Sequence, residues 1–253
     1  MMIEDKEVGL AAFEGKEVLL KIIERPKNKT EDELAAFIES ISDATNKQSK
    51  IVEADRRSND PRLIALQTYF FKEHGLFLER KRGEFKYGFD EKVLAKSDII
   101  DRVSMARALI AYAGDPPRAR SSQERIFDEV GFDRLLKNLD NTSVALAYFA
   151  LEALGSEPIT TTVQLPAHAL RYGKYAMLYS VAQAAPTPAV ESAKARDSAI
   201  GIAKAVISKW RAFETIVETK ATNAKYKLGG SFNFDGYYKG VTVAEDIKTF
   251  AWT

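Results

Sequence analysis

The sequence predicts an α+β fold that is predominantly α-helical, with a few short strands near the N-terminal half, a helical body and one long C-terminal helix. Three observations lead there. Apolar residues recur at helical spacing through most of the chain. Strand-like runs are short, the clearest at residues 16–25 and 76–82. Residues 190–223 contain no proline and no glycine beyond Gly201, a longer run than the ~25 residues of an ordinary globular helix. The implied division is an α+β subdomain carrying the polar motifs at 1–90, a helical body at 91–185, and a long helix with an irregular or hairpin tail at 186–253.

Taken in order, KEVLLKIIER (16–25) is β-branched and apolar, and Pro26 closes it as a buried strand. Thr30 with Glu33 three residues on is a capping box, and Leu34, Phe37, Ile38 and Ile41 then share one helix face. Asp60 before Pro61 opens a second helix, near 61–73, which buries Leu63, Leu66 and Phe70 and stops at Gly75. LFLERKR (76–82) follows as a strand. Ser97 is the expected cap of a helix whose stripe is Ile99, Ile100, Val103, Ala106, Leu109 and Ile110, ended by Gly114 and DPP. A turn and two short helices follow, then the nearly all-apolar TSVALAYFALEAL, which belongs at the centre. ITTTVQL suits a short strand and AHALRYGKYAMLYSVAQA a helix. After the break at AAPTPA, the long helix either kinks near Gly201 or leaves the body as a packing arm, with Val206, Ile207, Trp210, Phe213 and Val217 as its apolar face.

Bulk properties narrow the function. The 253 residues carry 37 basic and 36 acidic side chains, a net charge of +1, so contact with a polyanion must be local. There is no cysteine, which removes disulfides, thiol catalysis and Cys-based zinc sites. The N-terminal stretch lacks a signal pattern, and no run approaches the ~20 apolar residues of a membrane helix, so a soluble cytoplasmic protein is expected.

Two segments carry candidate chemistry. If 76–82 is a strand, period-two alternation puts Glu79 and Lys81 on one face, the E-x-K spacing of metal-dependent nucleases. There the Glu binds Mg2+ or Mn2+ and the Lys supports the attacking water. That chemistry also needs a second carboxylate, and the nearest upstream acids are Asp55, Asp60 and Glu73. The same stretch offers Arg80, Lys81, Arg82 and Lys86 against Glu79 and Glu84, which suits a local phosphate contact. It also suits an edge strand guarded by charge, the plainer of the two readings. The loop at 45–60 offers Asn46, Gln48, Arg57, Ser58, Asn59 and Asp60, which either position a ligand or satisfy their own backbone. His74 and His168 have no metal-ligand spacing, and no metal site is expected. Arg118 and Arg120 precede a short helix and could meet an anion there. Tyr172, Tyr175 and Tyr179 read as a packing seam.

Read together, these motifs resemble a known family. The turn at Ala44, Thr45, Asn46 and Gln48, the segment Asp55, Arg57, Ser58, Asn59 and Asp60, and the run Arg80, Lys81, Arg82, Gly83 and Glu84 are similar to ordered motifs of AIPR, the abortive-infection phage-resistance family. Arg120, Ser121 and Ser122 match a later A-R-S-S segment, and the resemblance covers roughly residues 17–135. Arg56 and Phe77 stand where the pattern has leucine and tyrosine. Family members are usually longer, with a nuclease-like N-terminal region, so the resemblance implies a C-terminal portion. It implies a non-catalytic module, without a cofactor, contacting DNA or RNA or partner subunits. The contact residues would be Asn46, Gln48, Arg57, Asn59, Arg80, Lys81, Arg82 and Arg120. Partners would be further copies of the chain or a separate nuclease-like part. The alternatives are a metal nuclease built on Glu79 and Lys81 and an oligomerisation scaffold built on residues 190–223.

Overall fold

The computed structural model describes residues 60–127, 138–156, 165–185 and 191–252, together with Thr30 and Glu33. The chain divides into two compact units, Met1–Lys50 and Ile51–Thr253. In the first, Thr30 and Glu33 form the expected capping box: the Glu33 N–H donates to Thr30 Oγ1 at 3.4 Å, and the Thr30 N–H donates to Glu33 Oε2 at 2.9 Å. The strand expected at 16–25, the 45–59 loop with Asn46, Gln48, Arg57 and Asn59, and most of ITTTVQL lie outside the described residues.

The second unit is predominantly helical, as its periodicity predicts. Helix α1 (Pro61–His74) begins at Asp60, whose Oδ1 accepts the Arg62 N–H at 2.7 Å, with proline where no N–H is needed. It ends at Gly75, whose φ of +67° is a left-handed conformation that glycine adopts without a Cβ penalty. Strand β1 (Phe77–Leu78) then pairs in parallel with β2 (Ile99–Ile100), Phe77 opposite Ile99 and Leu78 opposite Ile100. Between them lie a turn, helix α2 (Lys86–Asp90) and a 3-10 turn at Lys96–Asp98.

Helix α3 (Arg102–Tyr112) corrects the reading of its start. Its cap is Asp101, which accepts the Ser104 N–H at 2.8 Å, and Ile99 and Ile100 are the partner that β1 requires. Two short helices follow, α4 (Pro116–Ala119) and α5 (Gln123–Ile126). Helix α6 (Asn141–Gly155) is capped by Asp140 and buries every residue from Val144 to Leu151, which places it at the centre. The single helix expected over 167–184 is divided into α7 (Ala167–Tyr172) and α8 (Lys174–Ala184). At Gly173, between them, a Cβ would stand 2.8 Å from the Ala169 carbonyl and 3.3–3.4 Å from the Tyr238 and Trp210 rings. Only glycine lets these groups come so close.

Helix α9 (Ala195–Thr219) runs 25 residues, unbroken through Gly201, and is not a projecting arm. Its predicted apolar residues Val206, Ile207, Trp210, Phe213 and Val217 are all buried, and its most extensive helix contact is with α6. The tail contains the expected hairpin, β3 (Lys227–Leu228) antiparallel to β4 (Ser231–Phe232), turned through Gly229 and Gly230, both at positive φ. Two helices that the sequence reading missed follow, α10 (Phe234–Lys239) and α11 (Thr242–Thr249).

Two buried carboxylates bolt this tail to α9. Glu214 Oε1 accepts the Trp210 indole N–H at 3.1 Å and the Tyr238 hydroxyl at 2.5 Å, and lies 3.0 Å from His168 Nε2. Asp246 accepts from Asn223 at 2.8 Å, from the Tyr237 hydroxyl at 2.9 Å and from Lys220. Burial and the neighbouring carboxylates push both tyrosine hydroxyls well above the ordinary phenol range, so they remain donors.

Removing one of these carboxylates strands its donors in the interior. Glu214→Ala is expected to cost about 2–5 kcal/mol, read as a lower urea midpoint, because Trp210 and Tyr238 lose their acceptor. Glu214→Gln keeps an acceptor oxygen and should cost less.

Candidate functional site

The polar run after β1 is a capped turn. The Glu79 N–H still donates to the Ile100 carbonyl at 2.9 Å, and Gln67 Nε2 donates to the Leu78 carbonyl at 2.8 Å. Beyond Leu78 the strand stops. The Glu84 N–H donates to the Lys81 carbonyl and the Lys86 N–H to the Gly83 carbonyl, each at 3.1 Å, while Gly83 takes a φ of +71°. The expected strand over 76–82 therefore shrinks to two residues. Period-two alternation does not govern Glu79 and Lys81, and the edge-strand reading falls with it.

Two carboxylates hold the turn shut. Glu79 Oε1 accepts the Gly83 N–H at 2.6 Å. Glu84 Oε2 accepts the N–H groups of Arg80 at 2.7 Å and Lys81 at 3.3 Å, while its Oε1 meets Arg80 Nη2 at 2.9 Å. Burial works to raise the Glu84 pKa. The bonds from Arg80, Gln67 and Lys81, with the Arg80 charge, outweigh it and hold the carboxyl below its ordinary value. Arg80 is thus engaged within the turn. Lys81 and Arg82 are exposed at its tip, and Lys86 is exposed beside Asp90 at 3.1 Å. The Arg80, Lys81 and Gly83 amides are already bonded to the Glu79 and Glu84 carboxylates, so they are not donors for an anion.

Arg120 is held elsewhere. Its guanidinium donates to the Tyr172 carbonyl at 3.1 Å and to Asp235 at 3.4 Å, bracing the end of α4 against α7 and α10. Arg118 likewise donates to the Arg125 carbonyl at 3.2–3.3 Å. So the structure brings together Arg80, Lys81 and Arg82 of the expected contact residues, and uses Arg120 as a brace. Arg62, which the sequence reading passed over, ties the start of α1 to the start of α6 by bonds to Asn141 at 2.5 Å and the Leu139 carbonyl at 2.7 Å.

The two histidines sit in unlike surroundings. His74 lies edge-on to Phe149 at 4.9 Å and Tyr69 at 5.5 Å, and burial, reinforced by the Arg196 charge, pushes its pKa down. His168 bonds Glu214 and stacks on Phe234 at 4.0 Å. Among the described residues no three His, Asp or Glu side chains stand together as a metal cluster. A half-open groove of about 520 Å3 lies beside α9 and α11, walled by Phe213, Ile216, Val217 and Phe250. Its charged groups, Lys220 and Asp246, are bonded to each other.

The family model described as AIPR protein matches residues 2–227. The chain belongs to the AIPR family. No curated protein matches it, and no solved structure does. The AIPR match spans every polar motif singled out in the sequence, so the capped start of α1, the 79–86 turn and Arg120 lie within it, while Asp235 lies beyond its end. No helix among the described residues is long and apolar enough to cross a membrane.

The turn carries a pH signature. A carboxylate with a lowered folded pKa adds stability above its unfolded value, about 4.3, and loses it as pH falls through the folded value. Glu84→Gln should therefore lower the urea midpoint by a constant amount from pH 7 down to about pH 5, and the difference from wild type should shrink below about pH 4.

Proposed function

We propose that this AIPR chain is a non-catalytic module of an antiphage, abortive-infection protein, and that it contacts nucleic-acid phosphates through the turn at residues 80–86. The arrangement of charge in that turn supports the reading. Glu79 and Glu84 direct their carboxylates onto backbone amides, while Lys81 and Arg82 face outward, so the outer side of the turn is positive although the chain is almost neutral. A patch of this size anchors a strand locally and leaves the rest of the affinity to further copies or to a separate nuclease-like part, acting together in the cytoplasm. The bond from the Gly83 amide to Glu79 supports the non-catalytic half, because it gives that carboxylate a sufficient structural role.

Each half has its own measurement. In a fluorescence-anisotropy titration, Lys81→Ala with Arg82→Ala should weaken nucleic-acid binding by about tenfold and reduce the slope of log K against log salt by about 1–2. Unchanged affinity and slope would remove the turn from the interface. In a plasmid assay with Mg2+ or Mn2+, the chain alone should leave the DNA intact; cleavage that Glu79→Ala abolishes would overturn the non-catalytic half.

A further inference from the structure

Beside the positive turn lies a row of three phenylalanine rings. Phe71, on α1, is 5.2 Å from Phe77 on β1, and Phe77 is 5.4 Å from Phe85, where the turn ends. The chain from Phe77 to Phe85 is the turn itself, so Lys81 and Arg82 stand on the loop that joins two of these rings. Phe70, the neighbour of Phe71, is fully buried and takes the core side of α1, which leaves Phe71 55% exposed. An outward phenylalanine backed by further aromatic rings and flanked by cations is the combination that single-stranded nucleic acid uses. Its phosphates need positive charge, and its unpaired bases need a π-face. A duplex hides those faces in its own stack.

We infer that this face binds single-stranded nucleic acid, with a base stacked on Phe71 and the adjoining phosphates on Lys81 and Arg82. The inference rests on the phosphate contact proposed for the turn and adds what that contact reads. Chemistry favours a strand over a protein partner. The row is aromatic rather than aliphatic, and the charge around it is that of a phosphate binder. Phe71 would tolerate any flat base, so binding should depend weakly on sequence and strongly on strandedness.

The test uses the full chain with dye-labelled oligo(dT), oligo(U) and duplex DNA, each about 20 nucleotides long, a few times the smallest site sizes of such grooves. Single strands, whether oligo(dT) or oligo(U), should bind more tightly than the duplex. Phe71→Ala should weaken single-strand binding by about tenfold or more while leaving duplex binding unchanged. Phe71→Trp should retain binding, and Phe71→Leu, which keeps apolar bulk but no ring, should behave like Phe71→Ala. Far-UV circular dichroism confirms that each variant is folded. If the Phe71 variants all bind as wild type while the Lys81 and Arg82 variant is weakened, stacking is overturned and the phosphate contact stands. Full binding by Phe71→Leu also overturns stacking. If the wild-type chain binds none of the three probes, both readings fall together.

Discussion

The packing of α9 on the buried α6 is the contact on which the rest of the second unit depends, and Ala195, Ala199 and Ala203 are fully buried at intervals of four residues along α9. Small side chains let helix backbones approach closely, and the most extensive helix contact here joins α9 to the buried α6. Arg196 rests over the Phe149 ring at 4.7 Å and Thr142 meets Ser192 at 3.2 Å, so polar and cation–π contacts fix the start of that packing. Farther along α9 the buried residues become large, Val206, Ile207, Trp210 and Phe213, and the space they need is closed by α8, α10 and the chain end. Gly173 is the local counterpart of the alanines, a missing side chain where Trp210 and Tyr238 press on the backbone.

Within the described residues the polar groups divide into two kinds of work. Glu214, Asp246, Arg62 and Arg120 join elements that are far apart in sequence, and burial gives their bonds structural weight. Glu79 and Glu84 act over only a few residues, closing a turn that leaves Lys81 and Arg82 exposed at its tip. The stretch at 80–84 thus shapes a surface: one arginine and one glutamate bond each other within the turn, and a lysine and an arginine are displayed.

Much of the helical frame was legible because its signals are local. Asp60–Pro61 and Gly75 bracket α1, and a cap or left-handed glycine acts within one turn whatever the tertiary context. The burial of α6 and α9 followed from their apolar patterns for the same reason. The misreadings arose where two local patterns compete. Residues 76–82 alternate well enough for a strand, but Gly83 and two glutamates in reach of free amides make the turn the better solution. Ser97 and Asp101 are both competent caps, and only the pairing of Ile99 and Ile100 with β1 decides between them. Helix α10 was hidden by its glycine and aromatics, and α11 by being only about two turns long. They are held by Glu214, 24 residues from Tyr238, and by Asp246, 23 residues from Asn223 and 26 from Lys220. The Phe71 row escaped notice because its three members come from a helix, a strand and a turn.

The node at Glu214 also governs how the protein emits light. The chain has two tryptophans, Trp210 and Trp252, and their rings stack 5.7 Å apart beside Phe213 and Phe250. Trp210 donates to Glu214, and Trp252 donates to the Ile247 carbonyl at 2.9 Å. Both indoles are buried where the C-terminal segment closes on α9. Tryptophan fluorescence is therefore an optical gauge of that closure, and it is silent about the positive turn and its phenylalanines.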